Sequence, residues 1–216
     1  MKILAVSVGL PQKVRWQNKE VLTSIFKSPV EGAVRVNAEN IEGDRQADLT
    51  VHGGFDKAVY AYSHDTYPWW QEALKVDSLP YGSFGENLTM ETLDETRVFV
   101  GDVFAVGECQ FEAVQPRMPC FKLGIKFGDL KIIQTFYEYD RCGVYFRVKK
   151  PGLIQAGDSM KLLSSESVKV SIAELFHFIK NKGVTSKRRA AEIAAIPSLN
   201  EKWRSKFIQI SQSEEE

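Results

Sequence analysis

Val103-Phe104-Ala105-Val106-Gly107-Glu108-Cys109-Gln110-Phe111-Glu112-Ala113-Val114 is the stretch from which the fold class follows. It is rich in Val and Phe, and Ala105, Cys109, Phe111 and Ala113 share one side of a period-two alternation. It therefore reads as one strand, Val103–Val114, with an apolar face that holds Cys109. Similar short runs stand at Ala33–Val36, Ala58–Tyr62, Arg97–Val100, Val144–Val148 and Met160–Leu163, separated by glycine and charged turns. The apolar run Ile3 to Leu10 is followed by Pro11-Gln12-Lys13 and not by a small-residue cleavage site, so Lys2–Gly9 reads as a buried first strand and not a secretory signal. Strands at such intervals predict a mainly β (α+β) fold, a barrel or a folded sheet.

Two segments inside this region carry helical spacing. Thr66–Leu74 tolerates Pro68 in its opening turn, and Asp129–Tyr137 places Leu130, Ile133, Phe136 and Tyr137 on one face. After Leu163 the polar stretch Ser164-Ser165-Glu166-Ser167 has linker character and the composition turns to helix formers. Ser171–Asn181, Ser186–Ala195 and Leu199–Ile210 then read as a three-helix appendage. The expected division is a main domain over 1–163, a helical domain over 164–212 and a solvated tail at 213–216. Roughly 50 residues make a poor independent unit, so the appendage should dock on the main domain or on a second chain.

Lys plus Arg balance Asp plus Glu at 28 each, which leaves no global field to attract nucleic acid or an anionic membrane. No run approaches the roughly 20 apolar residues of a membrane span. Three widely spaced cysteines without a secretory signal predict reduced thiols in the cytoplasm. Walker, G-x-G-x-x-G, H-E-x-x-H, G-x-S-x-G and C-x-x-C patterns are absent, so standard nucleotide, hydrolase and structural-zinc chemistries are set aside.

The chemistry concentrates in Gln115-Pro116-Arg117-Met118-Pro119-Cys120-Phe121-Lys122-Leu123. Two prolines hold the loop, and Arg117 and Lys122 would favour the Cys120 thiolate, the form that serves as nucleophile or soft-metal ligand. A small buried hydrophobe is the competing reading of the same residue. Cys142 is read as structural, near a rim. Gly43-Asp44-Arg45 with Val51-His52-Gly53-Gly54-Phe55-Asp56-Lys57 has the composition of an anion cradle, or of a tight turn with solvated charges. Gly82-Ser83-Phe84-Gly85-Glu86-Asn87-Leu88-Thr89 suits close approach to a heterocycle, with Glu86 available as acid or base, or is a plain turn. His64 and His177 are given no role.

Together, Gly43-Asp44-Arg45, His52-Gly53-Gly54, Gly85-Glu86-Asn87-Leu88, Gly101-Asp102, Gln115-Pro116-Arg117 before Pro119-Cys120, and Gly157-Asp158 resemble the MOSC domain, the family named for the C-terminal domain of molybdenum cofactor sulfurase. The three-helix tail is similar to the small α domain that follows MOSC in a bacterial branch of the family. The resemblance implies a β-barrel-like core and a cysteine at Cys120 that ligates molybdenum or carries sulfur as a persulfide. It also implies a molybdenum cofactor (molybdopterin), with Arg45, His52, Gly53, Asn87 and Arg117 as candidates for holding the pterin or its phosphate. The activity it implies is reduction of N-hydroxylated compounds, such as N-hydroxylated purine analogues. An electron-donor protein is then required, because the chain has no nucleotide fingerprint and no iron–sulfur cysteine spacing, and Lys187-Arg188-Arg189 is a candidate docking surface for it. The separate N-terminal domain that encloses the cofactor in longer reductases of the family has no counterpart in this sequence, so the main domain, the tail or a homodimer partner must complete the pocket. A persulfide sulfur carrier and a non-catalytic cofactor binder are the alternatives.

Overall fold

A computed structural model describes residues 1–47 and 53–213. Its strands are β1 (Ile3–Val8), β2 (Gln12–Trp16), β3 (Lys19–Thr23), β4 (Ser28–Pro29), β5 (Val34–Val36), β6 (Val59–Ser63), β7 (Leu88–Met90), β8 (Val103–Val106), β9 (Cys109–Pro116), β10 (Val144–Lys150), β11 (Gly152–Ile154) and β12 (Met160–Ser164). The α-helices are α1 (Tyr67–Leu74), α2 (Phe121–Phe127), α3 (Lys131–Tyr139), α4 (Ile172–Lys180), α5 (Lys187–Ala194) and α6 (Glu201–Gln212).

Eight strands form one mixed sheet in the order β12-β8-β9-β10-β6-β7-β1-β4, with β6 and β7 its parallel pair. The sheet rolls, because a bridge between Lys2 and Ser159 and the bond from Met160 N to Met1 O tie the start of β12 back to β1. This is the barrel-like β core expected. Its β9 is buried along almost its whole length, which is why the strand reads as apolar and why the loop that follows it is held rigidly.

Several expectations are corrected. Val103–Val114 is not one strand: Gly107-Glu108 turns the chain into the β8–β9 hairpin, and Gly107 has φ +53 with no room for a Cβ against Leu153 O at 2.5 Å. Arg97–Val100 joins no strand of the sheet; Val100 N and the Val98 carbonyl instead bond the chain at Val170 and Ile172. In α3 the buried pair is Ile132 and Phe136, while Leu130 precedes the helix and is exposed. The β2–β3 hairpin and α2 carry no strong periodicity and are additions by the fold.

The three C-terminal helices form as expected, each with a polar N-cap that accepts from the first turn: Ser171 from Glu174 N, Ser186 from Arg189 N and Asn200 from Lys202 N. They dock on the β core of the same chain, and Leu175, Phe176 and Phe207 belong to one buried cluster with Ile3, Phe111 and Phe146. Polar ties reinforce that contact, since Trp203 Nε1 donates to Gln115 Oε1 at 3.2 Å and Asn200 Nδ2 donates to Asp56. Within Lys187-Arg188-Arg189, Arg189 pairs with Glu174 at 2.6 Å and with Glu192 at 3.1 Å, while Arg188 pairs with Glu192 at 3.2 Å and stays exposed. Helical spacing brings Glu192 within reach of both arginines, so it and Glu174 offset part of the charge of the run. No described helix is long and apolar enough to cross a membrane.

Candidate functional site

Cys120 lies where β9 has left the sheet and α2 begins. It is the N-cap of α2 in extended backbone, φ −133 and ψ 170, and its side chain makes no capping bond. The thiol is half-buried and lies on the wall of two cavities. One, of about 650 Å³, opens within the β core and is also lined by Ser24, Lys27, Asp44, Arg45, Lys57, Asn87, Arg117 and Lys122. The other, of about 1080 Å³, lies between the Cys120 loop and the helical tail.

Arg117 dominates the first cavity. It is buried, its guanidinium lies 5.5 Å from the Tyr60 ring centroid and 5.1 Å from that of Phe136, and its Nη2 donates to Phe84 O at 3.4 Å. Its Nη1 is buried without a hydrogen-bond partner among the described residues. Burial opposes the charge, but the ionisable Tyr60, Tyr145 and Cys120 beside it hold its pKa above the usual guanidinium value. A buried guanidinium without a carboxylate is costly, and a ligand that accepts from Nη1 would remove the cost. Ser24 Oγ, on the same wall, is a second buried atom lacking a partner.

Among the described residues Asp44 is the one carboxylate in the lining, against five cations, Lys27, Arg45, Lys57, Arg117 and Lys122. It is already consumed, accepting from Gly9 N at 2.9 Å, from Asn87 Nδ2 at 2.9 Å and from Lys27 Nζ. Burial lowers the Lys27 pKa and Asp44 opposes that shift. Among the described residues of the lining cations outnumber carboxylates, so the cavity favours an anion.

Asn87 is engaged on both ends. Its Nδ2 also reaches Ser7 O at 3.2 Å, and its Oδ1 accepts from Tyr60 N at 3.1 Å, so the amide shapes the wall by pinning Asp44 and β6. Glu86 is fully buried and accepts from Gly82 N at 2.8 Å, Phe84 N at 2.9 Å, Thr89 Oγ1 at 2.9 Å and Tyr67 Oη. It ties its own loop, and Gly85 there has φ +79 with Ile25 Cδ1 2.6 Å from where a Cβ would stand. Glu86→Gln should lower stability by about 1–3 kcal/mol, because an amide hydrogen would face donors, and leave turnover per folded molecule unchanged. Denaturant unfolding beside steady-state kinetics checks this, and a loss of turnover at full stability would restore the acid–base role.

The structure thus brings Arg45, Asn87, Arg117 and Cys120 to one cavity. Gly53 lines an adjoining groove with Lys57 and Asn200 instead, and His52 lies outside the described residues. Cys109 and Cys142 are buried, and burial raises both thiol pKa values, Cys109 to about 11; Cys142 is a core residue and not a rim one. Ser24 and Lys27 join the cavity from the chain after β3, where no motif announces them. No cluster of three His, Cys, Asp or Glu side chains suited to a metal exists among the described residues. A metal held here would rest on the Cys120 sulfur and take its other ligands from a non-protein group. An anionic pterin dithiolene is such a group, and the cationic lining, the partnerless Arg117 Nη1 and the lone thiol fit it.

A rolled β sheet that carries one thiol in a cation-lined cavity defines a β-rich protein organised around a cysteine loop. The MOSC domain profile matches residues 48–161. An uncharacterized protein YflK from Bacillus subtilis is 38% identical over 208 residues, covering 95% of this chain and 92% of that one. A protein named Reductase from Gibberella moniliformis is 32% identical over 181 residues, 82% of this chain but only 32% of its own length. The crystal structure of YiiM from Geobacillus stearothermophilus superposes with a TM-score of 0.79 at 28% identity, over 97% of this chain and 98% of that one. The chain belongs to the MOSC family.

Proposed function

We propose that this protein is a molybdenum-cofactor oxidoreductase that reduces N-hydroxylated compounds, with electrons from a separate donor protein. The observation that carries the reading is the Cys120 thiol on the wall of a cationic cavity whose buried Arg117 keeps a donor without a partner. Membership of the MOSC family and similarity to a protein named Reductase support it. When bound, the molybdenum centre supplies the two-electron reduction that removes the oxygen of an N-hydroxyl group.

The chain's own residues hold and shape that chemistry. Cys120 Sγ is the metal ligand, and Arg45, Arg117 and Lys122 hold the anionic side of the pterin. Tyr60, Phe84 and Tyr145 form a wall that limits water and so strengthens each charge inside. Lys57, its pKa lowered by burial and by the Lys202 charge, stands beside the thiol as an ammonium able to release a proton.

Protein purified from a host that makes the cofactor should contain near-stoichiometric molybdenum and pterin, and should convert an N-hydroxylated purine to the amine with a chemically reduced dye as donor. Neither metal nor pterin, with one sulfur atom added to Cys120 by mass, would replace this reading with a persulfide sulfur carrier.

A further inference from the structure

The second cavity beside Cys120 has a different character. Its walls are the Cys120 loop and α6, with Lys57, Lys202, Lys206, Trp203 and Tyr145 among the lining, and no carboxylate of the described residues lines it. Lys202 and Lys206 are one turn apart on α6 and so present like charges from the same face, an arrangement that destabilises a helix. Neither pairs with a carboxylate among the described residues; Lys206 Nζ instead lies 4.9 Å from the Phe178 ring centroid. Lys202 is close enough to Lys57 that its charge lowers the Lys57 pKa, after the larger effect of burial. Asn200 and Trp203 fix the first turn of α6 to Asp56 and Gln115, which holds both lysines at the groove.

We propose that this groove is a phosphate-monoester subsite for the substrate, so that the protein takes N-hydroxylated purine nucleotides in preference to free bases or nucleosides. The identity of the reacting end rests on the function proposed above; the phosphate recognition does not. Lys202 and Lys206, neither paired with a carboxylate among the described residues, match a phosphate dianion, with Lys57 on the same wall, and Trp203 and Tyr145 add aromatic surface next to them. Cys120 lines both cavities together with Lys57, Met118 and Tyr145, so a cofactor on the core side and a substrate on the tail side would meet at the thiol. A phosphate monoester also exists on the pterin, and the test distinguishes the two sources.

Calorimetric titration of the protein as purified from a cofactor-making host, with adenosine 5′-monophosphate and adenosine in parallel at low ionic strength, reads the subsite directly. The monophosphate should bind at least about tenfold more tightly than adenosine, the worth of one charge-assisted contact. Lys202→Gln with Lys206→Gln should erase that preference, leave adenosine affinity unchanged and leave pterin content at the wild-type level. Both lysines are exposed on α6, so the double variant keeps the fold. Equal affinity for the two probes in wild type, or a preference that survives the double variant, overturns the proposal. Loss of pterin from the double variant also overturns it, by assigning the lysines to the cofactor's phosphate. A protein that fails to reduce N-hydroxylated purines yet keeps the lysine-dependent preference retains the subsite and loses the reductase reading.

Discussion

Cys120→Ser is expected to yield a fully folded protein that retains almost no molybdenum and has lost reductase activity by on the order of 10³-fold, about 4 kcal/mol of transition-state stabilisation. Loss of residues that merely support a metal ligand costs roughly 10–100-fold, and removal of the one thiol that lines the cavity among the described residues should cost more. Serine keeps the shape and, as the N-cap of α2, can accept a backbone bond that the cysteine side chain does not make. The thermal midpoint should therefore stay level or rise. Metal analysis, pterin fluorescence and a thermal melt on matched samples check the three parts. Full molybdenum in the serine variant would remove Cys120 from the metal, and an unchanged turnover would leave the chain as a binder without thiol chemistry.

The second large effect separates function from stability in the opposite way from a core mutation. Arg117→Met should leave the unfolding free energy within about 1 kcal/mol of wild type or above it, because an apolar side chain of similar length removes a buried charge and a partnerless Nη1. The rings of Tyr60 and Phe136 that lie against the guanidinium can pack on a thioether instead. Cofactor retention should fall by roughly 10²-fold, the scale of losing two charge-assisted hydrogen bonds to an anion at about 1.4 kcal/mol each. Denaturant unfolding alongside pterin content per mole of protein measures both. A variant that loses several kcal/mol of stability and keeps its pterin would make Arg117 a structural residue.

Much of this site was legible before any fold was known. The Pro116 to Cys120 loop reads as rigid from its prolines and as chemically active from a thiol among cations, and both readings concern residues adjacent in the chain. Asn87 was identified as a cavity residue, but its role differs: its amide is spent on Ser7, Tyr60 and Asp44, partners from distant elements. Glu86, open to an acid–base role on its own, is bound by Tyr67, Gly82, Phe84 and Thr89 and becomes a loop tie. The charge of Lys187-Arg188-Arg189 is partly offset by Glu192 and Glu174, which come within reach only when α5 forms beside α4.

By itself the sequence determined the β-rich core and the three C-terminal helices and pointed to Cys120, a thiol that the fold places on a cavity wall, since alternation, helical spacing, caps and a proline-flanked thiol are local properties of neighbouring residues. Tertiary structure alone decided that Ser24 and Lys27 reach the cavity, that Arg117 is buried without a carboxylate, and that Lys202 and Lys206 of α6 stand across a groove from Cys120. Those facts depend on which distant segments meet. That depends on how the rolled sheet and the helices bury their apolar faces against one another, which no local pattern records.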